Sequence, residues 1–405
     1  MRFAHIADCH IGAWRDPKMS DISIAAFHAA VDRTIEKNVD FLLISGDLFN
    51  TSLPGIDKIK STVKALRRLK EKQIPVYSIA GSHDFSPSGK TMLDVLEHAD
   101  LLVNVCKGTV FEGALRLNFT TDPKTGAKIT GMVGKKGMLD KTYYESLDKD
   151  NLEKETGFKI FLFHTAITEL KPGELALMES APASILPKGF NYYAGGHVHI
   201  INKADIDQYK NIVYPGPTFP NSFSELEKLG RGGFYIYEDG RAEHSKIEIS
   251  PTVSVHVKCD HKSAQEAQEM ILDALNAKNI NTAIVTIRVS GQLSSGKPSD
   301  IEWSRIFETQ YERGAYVIMK NTNQLTVQEY NSIMVACDST EDVESRIIDE
   351  NIGQINSGTE KDKEKTMIIK LMQALNKEKS EGQTISDHED TILAETSRIV
   401  NQQNL

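Results

Sequence analysis

Short apolar runs alternate with amphipathic stretches through the first 250 residues. Phe3–Ala7, DFLLIS ending at Ser45, IPVYSIA ending at Ala80, KIFLF ending at Phe163 and FNYYA ending at Ala194 are brief and almost wholly apolar, a pattern that predicts strands. Between them lie stretches with apolar residues at helical spacing. DISIAAFHAAVDRTIEKN (21–38) is the clearest, and Ile56–Leu69 and Thr91–Leu96 follow it. Strand and helix in alternation predict an α/β core over residues 1–250. The pattern restarts after Pro251 with a strand in VSVHVK, a helix in SAQEAQEMILDALNA, a strand in TAIVTIRVSG, a helix around Asp300–Arg313 and a strand in AYVIMK, which predicts a compact α+β unit over 251–340. From about Glu341 to residue 405 the chain turns polar, with two helical islands. One carries Met367, Ile368, Leu371, Met372 and Leu375; the other opens on a capping box, Ser386 to Glu389, and continues with Ile392, Leu393, Ile399 and Val400. NKEKSEGQ between them reads as a flexible break.

A polar cluster stands directly behind each of the first five strands: Asp8 with His10, Asp47, Ser82 with His83, His164, and His197 with His199. An isolated DxH or GDxx recurs by chance, but five such clusters in this order supply the ligands for two metal ions. Hydrolysis of a phosphate ester needs a nucleophile at neutral pH and positive charge on the phosphoryl oxygens, and two divalent cations about 3.5–4 Å apart supply both. Such a pair needs a bridging carboxylate with nitrogen and oxygen ligands, and Asp47 is the natural bridge. Side chains two apart on extended chain share a side, so Asp8 converges with His10, and His197 with His199, while Cys9 points elsewhere. All five clusters sit at strand ends, where ligands of open α/β sheets collect, and Gly46, Gly81, Gly195 and Gly196 fall where the backbone must turn close to the ions. The pattern reads as a binuclear metallophosphoesterase.

Composition agrees. At 405 residues and 40% hydrophobic content the chain is long enough for two or three domains with a sizeable core. A formal charge of −9 argues against coating nucleic acid through bulk charge, so any contact with DNA must be local. Lys64, Arg67, Arg68, Lys70 and Lys72 along one helix, and Lys135 with Lys136 in VGKKG, are the candidates, with a merely solvated basic face as the alternative. Cys9, Cys106, Cys259 and Cys337 have no framework spacing and read as reduced structural thiols, and His256 and His261 lack a partner set and read as surface or structural residues. No apolar run approaches the roughly 20 residues of a membrane helix, and the amino terminus enters the first strand at once. The expectation is a cytoplasmic protein without a signal peptide.

The order DxH, GDLF, GxHD, lone His and GGHVH resembles the calcineurin-like metallophosphoesterases. More narrowly, FAHIADCHIG, LLISGDLFNTSLP and GGHVH with VYPGPTFPNSF look like the SbcD/meiotic-recombination-eleven DNA repair nucleases, over about residues 1–240. That resemblance implies a sandwich of two central sheets flanked by helices, a capping domain over the site and a helical tail. It implies two Mn2+ per chain, one held by Asp8, His10, Asp47 and His199, the other by Asp47, Ser82, His164 and His197. His83 would lie over the scissile phosphate, stabilising charge or protonating the leaving oxygen, with Asp84 orienting either that ring or its loop. The implied activity is a 3′-to-5′ exonuclease and single-strand endonuclease on DNA ends, single-strand regions and hairpins.

Two positions depart from the family pattern. Ser82 stands where Asn is usual, which implies a looser second metal site, and Asn50 stands where close relatives carry a His implicated in exonuclease action, unless it is an ordinary turn residue. The resemblance further implies a homodimer formed through two helices, with Ile59, Val63, Leu66, Met92, Leu93 and Leu96 as interface candidates or, alternatively, core residues. The tail would dock an SMC-like SbcC-type ATPase or fold back on the capping domain. A phosphoesterase acting on small or protein phosphates, and a scaffold that only tethers DNA ends, are the competing readings.

Overall fold

Residues 1–86, 91–135, 141–327, 361–377 and 385–401 are described by the computed structural model of the chain. The first strands, β1 (Arg2–Ile6), β2 (Phe41–Ser45), β3 (Val76–Ile79) and β4 (Val103–Asn104), run parallel and are joined by α1 (Pro17–Glu36), α2 (Ile56–Glu71) and α3 (Met92–His98). Asp16 caps α1 through Met19 N–H, and Thr91 with Asp94 closes a capping box on α3, so both helices begin where a side chain satisfies free backbone donors.

A small hairpin, β5 (Gly108–Phe111) and β6 (Ala114–Leu117), leads into the second sheet. That sheet is built from β7 (Thr120–Thr121), β8 (Lys128–Gly131), the short helices α4 (Lys141–Glu145) and α5 (Lys149–Glu153), then β9 (Lys159–Phe163), β10 (Tyr192–Gly195), β11 (Ile201–Ile206) and β12 (Tyr209–Pro215). Its order is β11-β12-β10-β9-β8-β7. The chain then returns through α6 (Phe223–Leu229) to β13 (Gly232–Glu238) and β14 (Arg241–Ile247), which add antiparallel to the β1 edge and give the first sheet the order β14-β13-β1-β2-β3-β4.

Both faces of the central strands are apolar, as expected of strands covered on two sides. Phe3, Phe41 and Leu43 point at the second sheet, where Ile160, Leu162, Tyr192 and Ala194 meet them; Ala4, Ile6, Leu42 and Ile44 point the other way, against α1 and α2. Phe3 stacks on Phe41 with ring centroids 5.0 Å apart and on Tyr237 at 4.6 Å. The result is the expected sandwich of two sheets, and all five polar clusters follow the carboxyl ends of its parallel strands.

The next segment forms β15 (Thr252–Lys258), α7 (Ala264–Asn276), β16 (Ile284–Leu293), α8 (Trp303–Glu312) and β17 (Val317–Val327), in the order of elements expected from the sequence. Its three strands are parallel, each crossover made by one helix, and they bury a core of their own around Val255, Ile271, Ile287 and Ile306. This unit is clamped to the first through α6. Glu227, 8% exposed, takes both oxygens to Arg288 Nε at 3.0 Å and sets Oε1 3.0 Å from His256 Nε2, so His256 is a contact across the units.

The tail helices α9 (Lys361–Leu375) and α10 (Ile385–Asn401) pack on each other, with Lys377 Nζ 2.6 Å from Glu395 Oε1. Ser386 falls inside the first turn of α10, because the helix already includes Ile385, two residues before the Asp387 start that the capping box implies. The start of the polar tail at Glu341, most of NKEKSEGQ, Lys136 and Cys337 lie outside the described residues. Cys9, Cys106 and Cys259 are free thiols, and among the described residues no helix is long and apolar enough to cross a membrane.

Of the interface candidates, Leu66, Leu93 and Leu96 are buried in the core under α2 and α3, and Val63 and Met92 pack against it, so these residues hold the helices to their own sheet. The apolar side chains left outside are Leu53 (79% exposed), Ile56 (84%) and Val95 (56%). The basic face of α2 is largely engaged within the chain: Arg67 pairs with Glu71, Arg68 with Asp32 and Lys70 with Asp100.

Arg288→Ala would leave the nearly buried Glu227 carboxylate with only the His256 ring beside it. The expected loss is about 3 kcal/mol, read from chemical denaturation, whereas the double variant Glu227→Leu with Arg288→Met, which leaves no unpaired charge, should lose less.

Candidate metal centre

The rim of the sandwich brings the sequence clusters to atomic contact. Asp47 Oδ2 lies 3.4 Å from His10 Nε2 and 3.1 Å from His164 Nε2, between the two rings, as a bridging carboxylate must. His10 Nε2 is 3.0 Å from His199 Nε2, and His199 Nε2 is 3.8 Å from Asp8 Oδ1. Asp8 Oδ1 also accepts the His197 N–H at 2.8 Å, and the His197 ring sits 5.2 Å from that of His164. Among the described residues three compact trios could hold a cation: Asp8 with His10 and His199, Asp8 with Asp47 and His164, and His10 with Asp47 and His83. Ser82 is buried in the loop after β3, its neighbours Gly81 and His83 both against Asp47.

The convergence has a different cause from the one inferred for extended chain. Asp8, His10, Asp47, His197 and His199 all have positive φ, from 41° to 93°. The ends of β1, β2 and β10 break into left-handed turns, a region that Asp and His enter more readily than most residues. Asp8 and His10 face one site because the chain coils around it. Backbone bonds lock the coil: His10 N–H donates to Asp47 O at 2.9 Å and Ile11 N–H to Leu48 O at 3.0 Å. Close approach is enforced as well, since a Cβ at Gly81 would lie 2.2 Å from Asp47 Oδ1.

Asp84 is buried and accepts from the N–H groups of Leu48 (3.2 Å), Phe49 (3.0 Å) and Gly81 (3.1 Å). It fastens the two loops together and leaves the His83 ring to another partner, the Asn50 carbonyl oxygen, 2.8 Å from His83 Nδ1. The Asn50 side-chain oxygen is 3.2 Å from His10 Nδ1, so Asn50 is more than a turn residue.

One participant was missed from the sequence. Glu225 on α6 places Oε1 3.0 Å from His199 Nδ1 and accepts the Asn221 N–H on Oε2 at 2.8 Å. A carboxylate behind a ligating imidazole fixes its tautomer and raises its basicity. The signal was present in Ser222-x-x-Glu225, which reads as a helix start; Ser222 does cap α6, but the carboxylate turns to the imidazole.

The donor set fits divalent cations. Asp8 and Asp47 are each 1% exposed, and among the described residues no lysine or arginine pairs with either, so their charge is met only by histidines. Buried charge left in that state is costly unless a cation joins it. His164 Nε2 is buried and faces the Asp47 carboxylate 3.1 Å away, while its Nδ1 is held by Ser45 O at 2.8 Å. Burial opposes the charged form of both rings, but Asp47 and Asp8 lift His164 to about 10, and Asp8 with Glu225 lifts His199 to about 9. Asp47, despite burial, is held well below the usual carboxylate range by His164 and His10.

A calcineurin-like phosphoesterase family model matches residues 1–200. The DNA double-strand break repair protein Mre11 of Archaeoglobus fulgidus is 26% identical over 340 residues, 77% of this chain and 74% of that protein. Its Methanococcus maripaludis counterpart is 29% identical over 321 residues, 76% and 78%, and that of Methanocaldococcus jannaschii 28% over 294 residues, 67% and 73%. Residues 1–200 belong to the calcineurin-like phosphoesterases, and the protein is a metal-dependent phosphodiesterase. Within that family the relatives it matches are of the SbcD/meiotic-recombination-eleven type.

His164 and His199 bear protons at neutral pH before loading and must lose them to ligate, so metal uptake should release up to about two protons per chain. Calorimetric titration with Mn2+ should show heats that change with the ionisation enthalpy of the buffer, and apparent affinity should rise from pH 6 to pH 8. Glu225→Ala should weaken uptake about 10–100-fold.

Proposed function

We propose that the protein is a manganese-dependent DNA nuclease with two ions per chain, a 3′-to-5′ exonuclease and single-strand endonuclease that processes double-strand break ends in the cytoplasm. The observation that carries this reading is the Asp47 carboxylate held between His10 and His164, with no lysine or arginine paired to it among the described residues. Bound divalent cations supply Lewis acidity at the phosphoryl oxygens and a water acidic enough to attack in line.

The protein residues supply the rest. Asp8, His10, Asp47 and His199 would hold one ion, and Asp47, Ser82, His164 and His197 the other. His83, its Nδ1 tied to the Asn50 carbonyl, is left with Nε2 for the leaving oxygen, where it stabilises charge or delivers a proton. Lys135 supports local phosphate binding. It is half-buried beside the His83 loop, its Nζ 4.7 Å from the Phe85 ring centroid and 4.3 Å from that of Tyr143, whereas the basic residues of α2 spend much of their charge on acidic neighbours.

The unit at 251–340 caps the nuclease unit at 1–250, and the tail at 341–405 docks an SMC-like SbcC-type ATPase. Met372, Leu375, Leu393 and Val400 remain exposed although the two tail helices pack together, which supports an apolar docking face. Exposed Leu53, Ile56 and Val95 support a homodimer contact at α2 and α3.

Cleavage of hairpin and linear duplex DNA with Mn2+ titrated in should be seen with the wild type and abolished in Asp47→Ala. Ser82→Asn, with its longer amide oxygen, should lower the Mn2+ concentration for half-maximal cleavage several-fold. No cutting at any Mn2+ level, even with the ATPase partner and ATP, would favour an end-tethering scaffold, and faster turnover of p-nitrophenyl phosphate esters than of DNA would favour a small-phosphate enzyme. Truncation at Glu341 should abolish co-purification with the ATPase and spare Mn2+-dependent cleavage.

A further inference from the structure

We propose that Asn50 is a positioning residue that orients two histidines at once, its side-chain oxygen fixing the proton of His10 on Nδ1 and its main-chain oxygen fixing that of His83 on Nδ1. The inference rests on the metal-centre reading and adds to it a residue that carries no charge and binds no ion.

The geometry begins with the backbone. Asn50 N–H donates to Ile11 O at 3.2 Å, Ile11 N–H donates to Leu48 O at 3.0 Å, and Phe49 N–H is held by Asp84 Oδ1 at 3.0 Å. The residue is thus pinned to the loop that carries His10 and, through Asp84, to the loop that carries His83. From that fixed point Asn50 Oδ1 reaches His10 Nδ1 at 3.2 Å and Asn50 O reaches His83 Nδ1 at 2.8 Å. The two rings stand nearly perpendicular, 4.7 Å apart and 84° between planes, so one residue can serve both.

Tautomer chemistry gives the arrangement its use. A neutral imidazole has one N–H and one lone pair, and which nitrogen carries the proton is set by the partner of the other. A carbonyl oxygen only accepts, so it selects the Nδ1–H form and leaves the Nε2 lone pair free. On His10 that lone pair faces Asp47 and His199, where a cation is to be held. If the Asn50 amide turned its NH2 toward His10 instead, the proton would move to Nε2 and close that site. His199 receives the same service from the charged Glu225, so the two histidines of one trio are backed by different groups, a neutral amide and a carboxylate.

The test compares Asn50→Leu, close in volume and without an acceptor, with Asn50→Asp, which keeps an acceptor oxygen in the same place. In full-length protein, Mn2+ binding is followed by electron paramagnetic resonance of the free ion, and the His10 tautomer of metal-free protein by long-range proton–nitrogen correlation on histidine-labelled samples. Asn50→Leu should weaken uptake at least tenfold, at the low end of the roughly 10–100-fold typical of groups behind metal ligands, and should lose the His10 Nδ1–H signature. Asn50→Asp should retain both. The main-chain bond to His83 survives in each variant, so the His83 Nδ1–H signature should remain in both. Equal Mn2+ binding and an unchanged His10 tautomer in Asn50→Leu would overturn the proposal. Failure of the wild type itself to bind Mn2+ would instead overturn the metal-centre reading, which Asp47→Ala measured alongside makes distinguishable. Should Asn50→Leu not fold, loss of affinity in a folded Asn50→Asp would count equally against the role of the acceptor.

Discussion

A carboxylate that is 1% exposed, charged and, among the described residues, without a lysine or arginine partner is the constraint around which the rim of this protein is built. Asp47 is drawn from both sides by imidazoles on strands distant in sequence, and its second oxygen takes the His83 N–H at 2.8 Å. Holding it there requires a left-handed turn at Asp47 itself, φ 52°, and a glycine at position 81 because no Cβ fits against it. Backbone in that region costs of order 1–3 kcal/mol per residue and persists only where surrounding bonds over-determine it. Asp84 supplies such bonds by collecting three backbone N–H groups from the two loops that meet at Asp47.

The sandwich makes that strain tolerable. Two sheets with apolar side chains on both faces bury a continuous core, and the strand ends that carry the polar clusters are fixed by the register of that core. β1, β2 and β3 are parallel neighbours in one sheet, β9 and β10 in the other, so five separate stretches open onto a single edge. The same packing explains why α2 and α3 bury Leu66, Leu93 and Leu96 inward and leave Leu53, Ile56 and Val95 outside.

The short helix α6 links the layers of the protein. Glu225 faces the centre and holds His199, while Glu227, two residues on and therefore on another side of the helix, clamps Arg288 and His256 of the second unit. A single seven-residue element thus touches both the candidate metal centre and the second unit. His256, taken from sequence as surface or structural, is a half of that clamp.

The strands, the main helices and the ligand clusters were legible in the sequence because each depends on local information: a period of two or 3.6 in apolar residues, and residue types whose chemistry suits a divalent cation. The meeting of Asp8, His10, Asp47, His164 and His199 was legible through the order of motifs, but the geometric reason first assigned to Asp8 and His10 differs from the coiled turns that bring them together. Glu225 and Asn50 were not legible as histidine partners, since a helix-start glutamate and a turn asparagine look ordinary until the fold sets them against His199 and His10. The sequence by itself determined the layers and the inventory of ligands, because hydrophobic period and side-chain chemistry are properties of the chain. Only the tertiary structure decided their distances and the proton on each ring, because His10 meets His199 across 189 residues and a hydrogen bond is settled by tenths of an ångström that no local pattern encodes.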